Sequence, residues 1–347
     1  MELWEESLAQ SITSLEPLVE RFSIDPIPLR PVVDRYPLRI TSYYLNLIRE
    51  IGDPIWCQSV PDPRELETDH LSEDPLNEEG NAPVPGLIHR YPDRVVLLVS
   101  SSCPTFCRFC TRKNRIFRGH SLPLNDSLQS WVKYLEANRN VQEAILSGGE
   151  PLLLTDDELE TILSTLRTIP HIQILRINTR IPVTLPERIT LRLSKILKRH
   201  HPLFLNTHFN HPWEITKEST EACAILSDAG IPLGNQTVLL KKVNDDPEVM
   251  KELMKKLLTL RIRPYYLHHM DPVKGTKHFR TSLDQGLKIM NRLRGNISGL
   301  AVPYYMIDLP GGKGKVPILP EPIERNGKTL RLRNYRGEIV EYLDEED

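Results

Sequence analysis

The 347 residues are 39% hydrophobic and 26% charged, with a formal net charge of −2. This composition supports a sizeable globular core and gives no electrostatic case for nucleic acid or an acidic membrane surface as a partner. No apolar run approaches the ~20 residues a bilayer span needs, and the acidic, amphipathic start MELWEESLAQ does not read as a signal peptide.

Residues 1–94 carry much proline and few strand signals. Apolar residues at i, i+3 and i+4 predict helices over Leu8–Phe22, kinked or split at Pro17, and over Ser42–Ile51. Asp53–Pro85 is polar and proline-rich, which predicts an extended wrapping segment. From Val95 the pattern changes to six short apolar runs: VVLLVSS, EAILSGG, ILRINTR, LFLNTHF, GNQTVLL and PYYLHHMD. Helical patterns lie between them, such as 156–169 and 247–260. Six βα repeats predict an α/β fold, with a parallel sheet curved or partly closed into a barrel and chemistry at the C-terminal ends of its strands. A glycine-rich loop, DLPGGKGKVPILP, follows, and KTLRLRNYRGEIVEYL after Asn326-Gly327 predicts a terminal hairpin. The chain thus divides into an N-terminal helical wrap (1–94), a barrel (95–305) and a C-terminal loop and hairpin (306–347).

Three of the five cysteines fall within eight residues, as Cys103-Pro-Thr-Phe-Cys107-Arg-Phe-Cys110. Clustered thiols, in an odd total and without a secretion signal, point to a metal in a reducing, cytoplasmic compartment. Thiolates suit zinc or iron–sulfur clusters. Structural zinc takes four ligands in paired knuckles, and neither Cys57 nor Cys223 forms a second knuckle, so both read as structural. Three thiolates leave one iron of a [4Fe–4S] cubane open, where the amino and carboxylate groups of S-adenosylmethionine (SAM) can chelate. Ser147-Gly148-Gly149-Glu150 ends the second strand, where glycines make either a tight turn or room for a ligand.

The C-x3-C-x2-C spacing resembles the radical SAM superfamily. The extension through CRFCTRK, with PVPGLIHRYPDR, ILSGGEPLLL, NTHFNHPWEIT, GIPLGNQTVLLKKVNDD, RPYYLHHMDPVKGTKHFRT and DLPGGKGKVPILP, resembles the lysine 2,3-aminomutase family over most of the chain. That resemblance implies a partial (β/α)6 radical SAM barrel with an N-terminal helical extension and a short C-terminal segment anchoring pyridoxal phosphate (PLP). It implies SAM contacts from Ser147, Gly148, Gly149, Glu150, Asn178, Arg180, His208 and Gln236. Taken as a lone histidine, His208 would more often be structural. PLP is implied to be held by Lys315 as a Schiff base, with Arg90 and Arg94 on its phosphate and Tyr91 lining it. A P-loop is excluded by Leu309 and Val316, and a dinucleotide fingerprint by Pro317. Arg112 matches the residue that grips a substrate α-carboxylate, and Asp271 with Asp308 the pair that binds the distal ammonium of lysine.

The implied reaction moves the α-amino group of L-lysine to its β-carbon, giving β-lysine: an isomerase. Arginine, ornithine or a protein-bound lysine are the nearer alternatives, and a non-mutase SAM/[4Fe–4S] protein the distant one. The chemistry implies a small-molecule substrate, a reducing partner of the flavodoxin or ferredoxin kind, and a homodimer. Many family members share a zinc ion through C-terminal cysteines. This chain has none after Cys223 and has Asp246 at the matching internal position, so no structural zinc is expected.

Overall fold

In a computed structural model the chain is described over residues 2–68, 70–116, 124–319, 324–326 and 329–343. Its N-terminal part holds five short helices: α1 (Leu3–Ala9), α2 (Glu16–Phe22), α3 (Arg30–Arg35), α4 (Ser42–Asn46) and α5 (Pro54–Ser59). The expected helix 8–22 is split, and Pro17 stands in the first turn of α2, where its missing N–H costs nothing. The extended segment expected from Asp53 instead begins with a helix. Asp53 accepts from the backbone N–H groups of Ile55 (2.8 Å) and Trp56 (2.7 Å), so the Asp-Pro pair is a helix start.

Next come β1 (Leu87–Tyr91), β2 (Arg94–Ser100), α6 (Lys113–Ile116), α7 (Leu124–Ala137), β3 (Glu143–Gly148), α8 (Asp156–Arg167), β4 (Ile174–Asn178), α9 (Ile181–Thr184) and α10 (Leu191–Arg199). They are followed by β5 (Leu203–Thr207), α11 (Lys217–Asp228), β6 (Leu233–Leu239), α12 (Pro247–Thr259), β7 (Ile262–His269), α13 (Leu283–Leu293), β8 (Tyr304–Asp308) and β9 (Lys315–Pro317). The strands form one sheet in sequential order from β1 to β9. All six expected strands are present as β2 to β7, and β8 continues the parallel run as a seventh. The antiparallel β1 and β9 close its two ends, so the sheet begins at Leu87 and reaches Pro317. A separate antiparallel sheet of β10 (Glu324–Asn326), β11 (Thr329–Arg333) and β12 (Ile339–Leu343) contains the expected hairpin, while Gly327 lies outside the described residues.

Strand alternation places the core. In β6, Leu233, Asn235, Thr237 and Leu239 are buried while the intervening residues are less so. Helices that face the sheet start on side-chain caps, as at Thr155 with Glu158 for α8. Asp246 caps α12 by accepting from Glu248 N–H (2.8 Å) and Val249 N–H (3.1 Å), a task for which a carboxylate suffices. One apolar core runs from Leu18 and Ile40 in the wrap through the strands to Tyr305. Among the described residues no helix is long and apolar enough to cross a membrane.

The wrap positions the cysteine loop that follows β2. Phe106 N–H donates to Arg39 O (2.8 Å) and Arg108 N–H to Gln58 O (2.9 Å). Arg108 is wholly buried and forks onto Glu65, Nε to Oε1 at 2.9 Å and Nη2 to Oε2 at 2.6 Å. Lys113 Nζ, also wholly buried, shares Glu65 Oε2 at 2.7 Å. The loop is thereby tied on both sides of Cys110 to one carboxylate from the N-terminal segment.

Candidate active site

At the C-terminal ends of the parallel strands lies a cavity of about 480 Å³, and every site residue expected from the sequence lines it. Cys103, Cys107 and Cys110 face it from the loop after β2, all as free thiols. Burial, then mutual repulsion, pushes the Cys103 thiol well above its ordinary value and that of Cys110 up to about 11. A bound metal cation reverses that bias by stabilising the thiolates.

Gly148, the last residue of β3, and Gly149 lie against the loop that leads to the cysteines. A Cβ on Gly148, whose φ is +125°, would lie 2.3 Å from Ser100 O, and one on Gly149 would lie 2.4 Å from Ser102 O. Gly149 and Glu150 donate their backbone N–H groups to those two carbonyls, at 2.6 and 2.7 Å. The absent side chains admit the backbone leading into Cys103, and both glycines also line the cavity. The Glu150 carboxyl is turned into the protein, accepting from Thr179 Oγ1, Arg180 N–H and Leu152 N–H, and burial raises it to about 7.

Asn178 at the end of β4, His208 after β5 and Gln236 within β6 line the next part of the wall. Asn178 Oδ1 and His208 Nε2 are buried with no protein partner, which leaves them to a cavity ligand. Burial and the Arg180 charge hold His208 near 3, neutral at physiological pH. Arg180 is spent on protein groups, including Cys107 Sγ at 2.8 Å and Glu214 Oε1 at 2.7 Å.

Residues from both edges of the sheet, on β1–β2 and on β8–β9, meet on one side of the cavity. Asp308 and Lys315 are paired across β8 and β9, and the Lys315 ammonium contacts Asp308 Oδ2 directly. Arg90 Nη1 lies 3.4 Å from Asp308 Oδ1, while its Nε is buried without a partner. Tyr91 OH accepts from Lys315 N–H at 2.9 Å, and the Arg94 guanidinium stacks over the Tyr91 ring at 4.0 Å. Arg94 Nη1 also pairs with Asp93 at 2.7 Å. Asp271, two residues beyond β7, has its carboxyl raised to about 7 by burial and then by the neighbouring Asp308, against the pull of Lys315 and Arg90.

Three further residues escaped sequence reasoning. Glu78 takes the Nε–Nη2 edge of Arg112, at 2.7 to 3.1 Å, leaving Nη1 on Ser147 Oγ (3.2 Å) and Gly148 O (3.4 Å). It sits in a polar loop with no local signal. His268 Nδ1 lies 3.7 Å from Asp308 Oδ2, and burial plus the Lys315 charge holds it well below the usual histidine range. The His268-His269 pair at a strand end was the available hint. Glu214 lies in the turn after β5, between Trp213 and Ile215, with no pattern of its own to mark it.

The radical SAM superfamily model matches residues 97–254, and the lysine-2,3-aminomutase model matches 290–347. The L-lysine 2,3-aminomutase of Methanococcus maripaludis is 47% identical over 324 residues, covering 92% of this chain and 75% of that protein. The chain belongs to the lysine 2,3-aminomutase family of radical SAM enzymes. The L-lysine 2,3-aminomutase of Clostridium subterminale is 47% identical over 312 residues, 88% of this chain and 74% of that one. The glutamate 2,3-aminomutase of Clostridioides difficile is 43% identical over 320 residues, 91% and 76%.

As a member of that family the chain is an isomerase, and radical SAM membership implies a [4Fe–4S] cluster and SAM. The residues present fit both. Three thiols face one cavity, and two unpartnered polar atoms, Asn178 Oδ1 and His208 Nε2, stand beside them. Among the described residues no three His, Cys, Asp or Glu side chains converge on a single-ion position; a cubane with one open iron asks instead for three separate thiolates, each on its own iron.

Proposed function

We propose that this aminomutase converts L-lysine to β-lysine and uses PLP as well as SAM and the cluster. Cys103, Cys107 and Cys110 would hold the cluster. Asn178, His208 and Gln236 would face SAM, beside the Ser147–Glu150 turn. The arginine-rich end of the cavity suits PLP: Lys315 supplies the amine, Tyr91 the adjacent wall, and Arg90 and Arg94 the cations for its phosphate. When bound, SAM and the cluster supply the radical, and PLP supplies the π bond across which nitrogen migrates.

The chain's own contribution is placement. Arg112, anchored by Glu78 against the end of β3, would turn Nη1 to the α-carboxylate in exchange for its contacts with Ser147 and Gly148. Asp271 and Asp308, at the ends of β7 and β8, offer two carboxylates for the distal ammonium. Lys315 lies against Asp308, so its amine has an acceptor when it is not covalently engaged. His268, held neutral beside Asp308, adds no competing charge.

The observation that carries the choice of lysine is this carboxylate pair, which lines the cavity from the ends of β7 and β8. A neutral or acidic side chain would bring no cation to Asp271, whose neighbour Asp308 already faces Lys315 and Arg90, at a cost of roughly 3–5 kcal/mol by analogy with broken buried pairs. The corresponding discrimination is about a hundredfold or more. The test is β-amino acid formation from lysine, arginine, ornithine and glutamate by anaerobically reconstituted enzyme. Lysine should turn over best, and glutamate turning over equally well would refute the assignment of the pair.

A further inference from the structure

Arg180 follows β4 by two residues and is 8% exposed in its side chain. All its donor groups are engaged. Nη2 donates to Gln58 Oε1 (2.7 Å), Glu214 Oε1 (2.7 Å) and Tyr44 OH (3.1 Å), and Nε to His208 O (3.2 Å). Nη1 donates to Cys107 Sγ at 2.8 Å. The guanidinium also lies over the Phe109 ring, 5.1 Å from its centroid. Its counterion is as firmly placed: Glu214 is wholly buried and accepts from Tyr44 OH (2.7 Å), Gln58 Nε2 (3.0 Å), Asn210 N–H (2.6 Å) and His211 N–H (3.0 Å). A cation fixed by the wrap on one side and the turn after β5 on the other thus meets one sulfur in the cavity.

The geometry points to Arg180 as a positioning residue that sets the electron affinity of the cluster through the Cys107 sulfur, with Glu214 as the counterion that limits its effect. This rests on the reading that Cys103, Cys107 and Cys110 hold the cluster. Reduction of [4Fe–4S]²⁺ to [4Fe–4S]⁺ takes one electron from a low-potential donor of the reduced flavodoxin or ferredoxin class, and no proton or bond is exchanged. The added negative charge spreads onto the ligand sulfurs. A fixed cation hydrogen-bonded to one of them stabilises the reduced state more than the oxidised one. Net charge, hydrogen bonds to sulfur and burial are the levers on such potentials, and burial of the pair lowers the dielectric that would screen them. Glu214 sits one bond further from the sulfur and offsets part of the same field.

The two charges therefore predict opposite effects, which a merely structural role would not produce. Loosening the site from either side would expose the cluster and lower its iron content alike. The experiment is an EPR-monitored redox titration of the reconstituted full-length protein and of Arg180→Gln, Arg180→Lys and Glu214→Gln, with iron and sulfide assayed in each. Arg180→Gln should lower the reduced-to-oxidised ratio at a given potential about tenfold, a shift of about 59 mV to more negative values for a one-electron couple. Arg180→Lys, which keeps the charge and loses the fork, should shift less in the same direction. Glu214→Gln should shift to more positive values. Wild-type iron content with an unmoved potential in both Arg180 variants overturns the inference, as does a negative shift in Glu214→Gln. A parent protein that takes up no iron and sulfide overturns the thiol assignment itself, and the inference with it.

Discussion

Replacing Asp271 with Asn should make the unliganded protein more stable above neutral pH while weakening its hold on lysine. Burial and the nearby Asp308 raise the Asp271 carboxyl from 3.8 to about 7. The sign follows from linkage. The folded state keeps this proton longer than the unfolded chain, so its stabilising contribution is full below about pH 4 and is lost as pH rises through about 7. Carrying a carboxyl from 3.8 to about 7 corresponds to about 4 kcal/mol at 1.36 kcal/mol per pH unit. The side chain is only partly buried and faces an open cavity, and solvent screening brings the realised penalty to roughly 1–3 kcal/mol. Asn removes it, so thermal unfolding at pH 8 should occur a few degrees higher than in the parent, with little difference at pH 5. In the same variant the KM for lysine should rise at least tenfold at pH 8. The parent's KM should itself fall as pH rises through about 7, and the variant should lose that dependence. A variant less stable than the parent at pH 8, or equally offset at both pH values, would show that Asp271 does not carry the burial penalty assigned to it.

Glu65→Ala strands two wholly buried cations, Arg108 and Lys113, and should cost about 3–5 kcal/mol in urea unfolding. The cysteine loop loses its anchor with it, so iron retention should fall; full iron content at parent stability would contradict the anchoring role. Glu78→Ala frees the Nε–Nη2 edge of Arg112, and the KM for lysine should rise roughly tenfold, about 1.4 kcal/mol, with a smaller change in kcat. A KM that stays constant or falls would mean Glu78 competes with the substrate rather than positioning its arginine.

The local signals in the chain reach as far as local physics does. Alternating and continuous apolar runs mark β2 to β7, because burial on a sheet face dictates period two over a handful of residues. Helices α8 and α12 are legible from 3.6-residue periodicity and from caps at Thr155 and Asp246. The cysteine spacing and the PGGKGK loop are contiguous, and so carry their chemistry in the sequence itself. What failed at this level failed for physical reasons. Asp53-Pro54 reads as a loop until its carboxylate is seen capping α5, and the apolar, strand-like YYMID joins the parallel run as a seventh strand only through its pairing with β7.

Only the tertiary structure decided the partners. Arg108 and Glu65 are 43 residues apart, Arg112 and Glu78 34, Arg180 and Glu214 34, and Arg180 and Cys107 73. In the sequence each arginine has several equivalent carboxylates to choose among. The choice is made by burial, which forbids an unpaired charge and so forces each guanidinium onto whichever acceptor the fold carries to it. Lys315 and Asp308 are the instructive exception, seven residues apart and facing each other only because β9 turns back antiparallel on β8. Residue identity supplied the chemistry of the site, and chain crossing decided which groups remain free to use it: Asn178 and His208 keep an open atom toward the cavity, while Arg180 and Glu150 are consumed in holding it together.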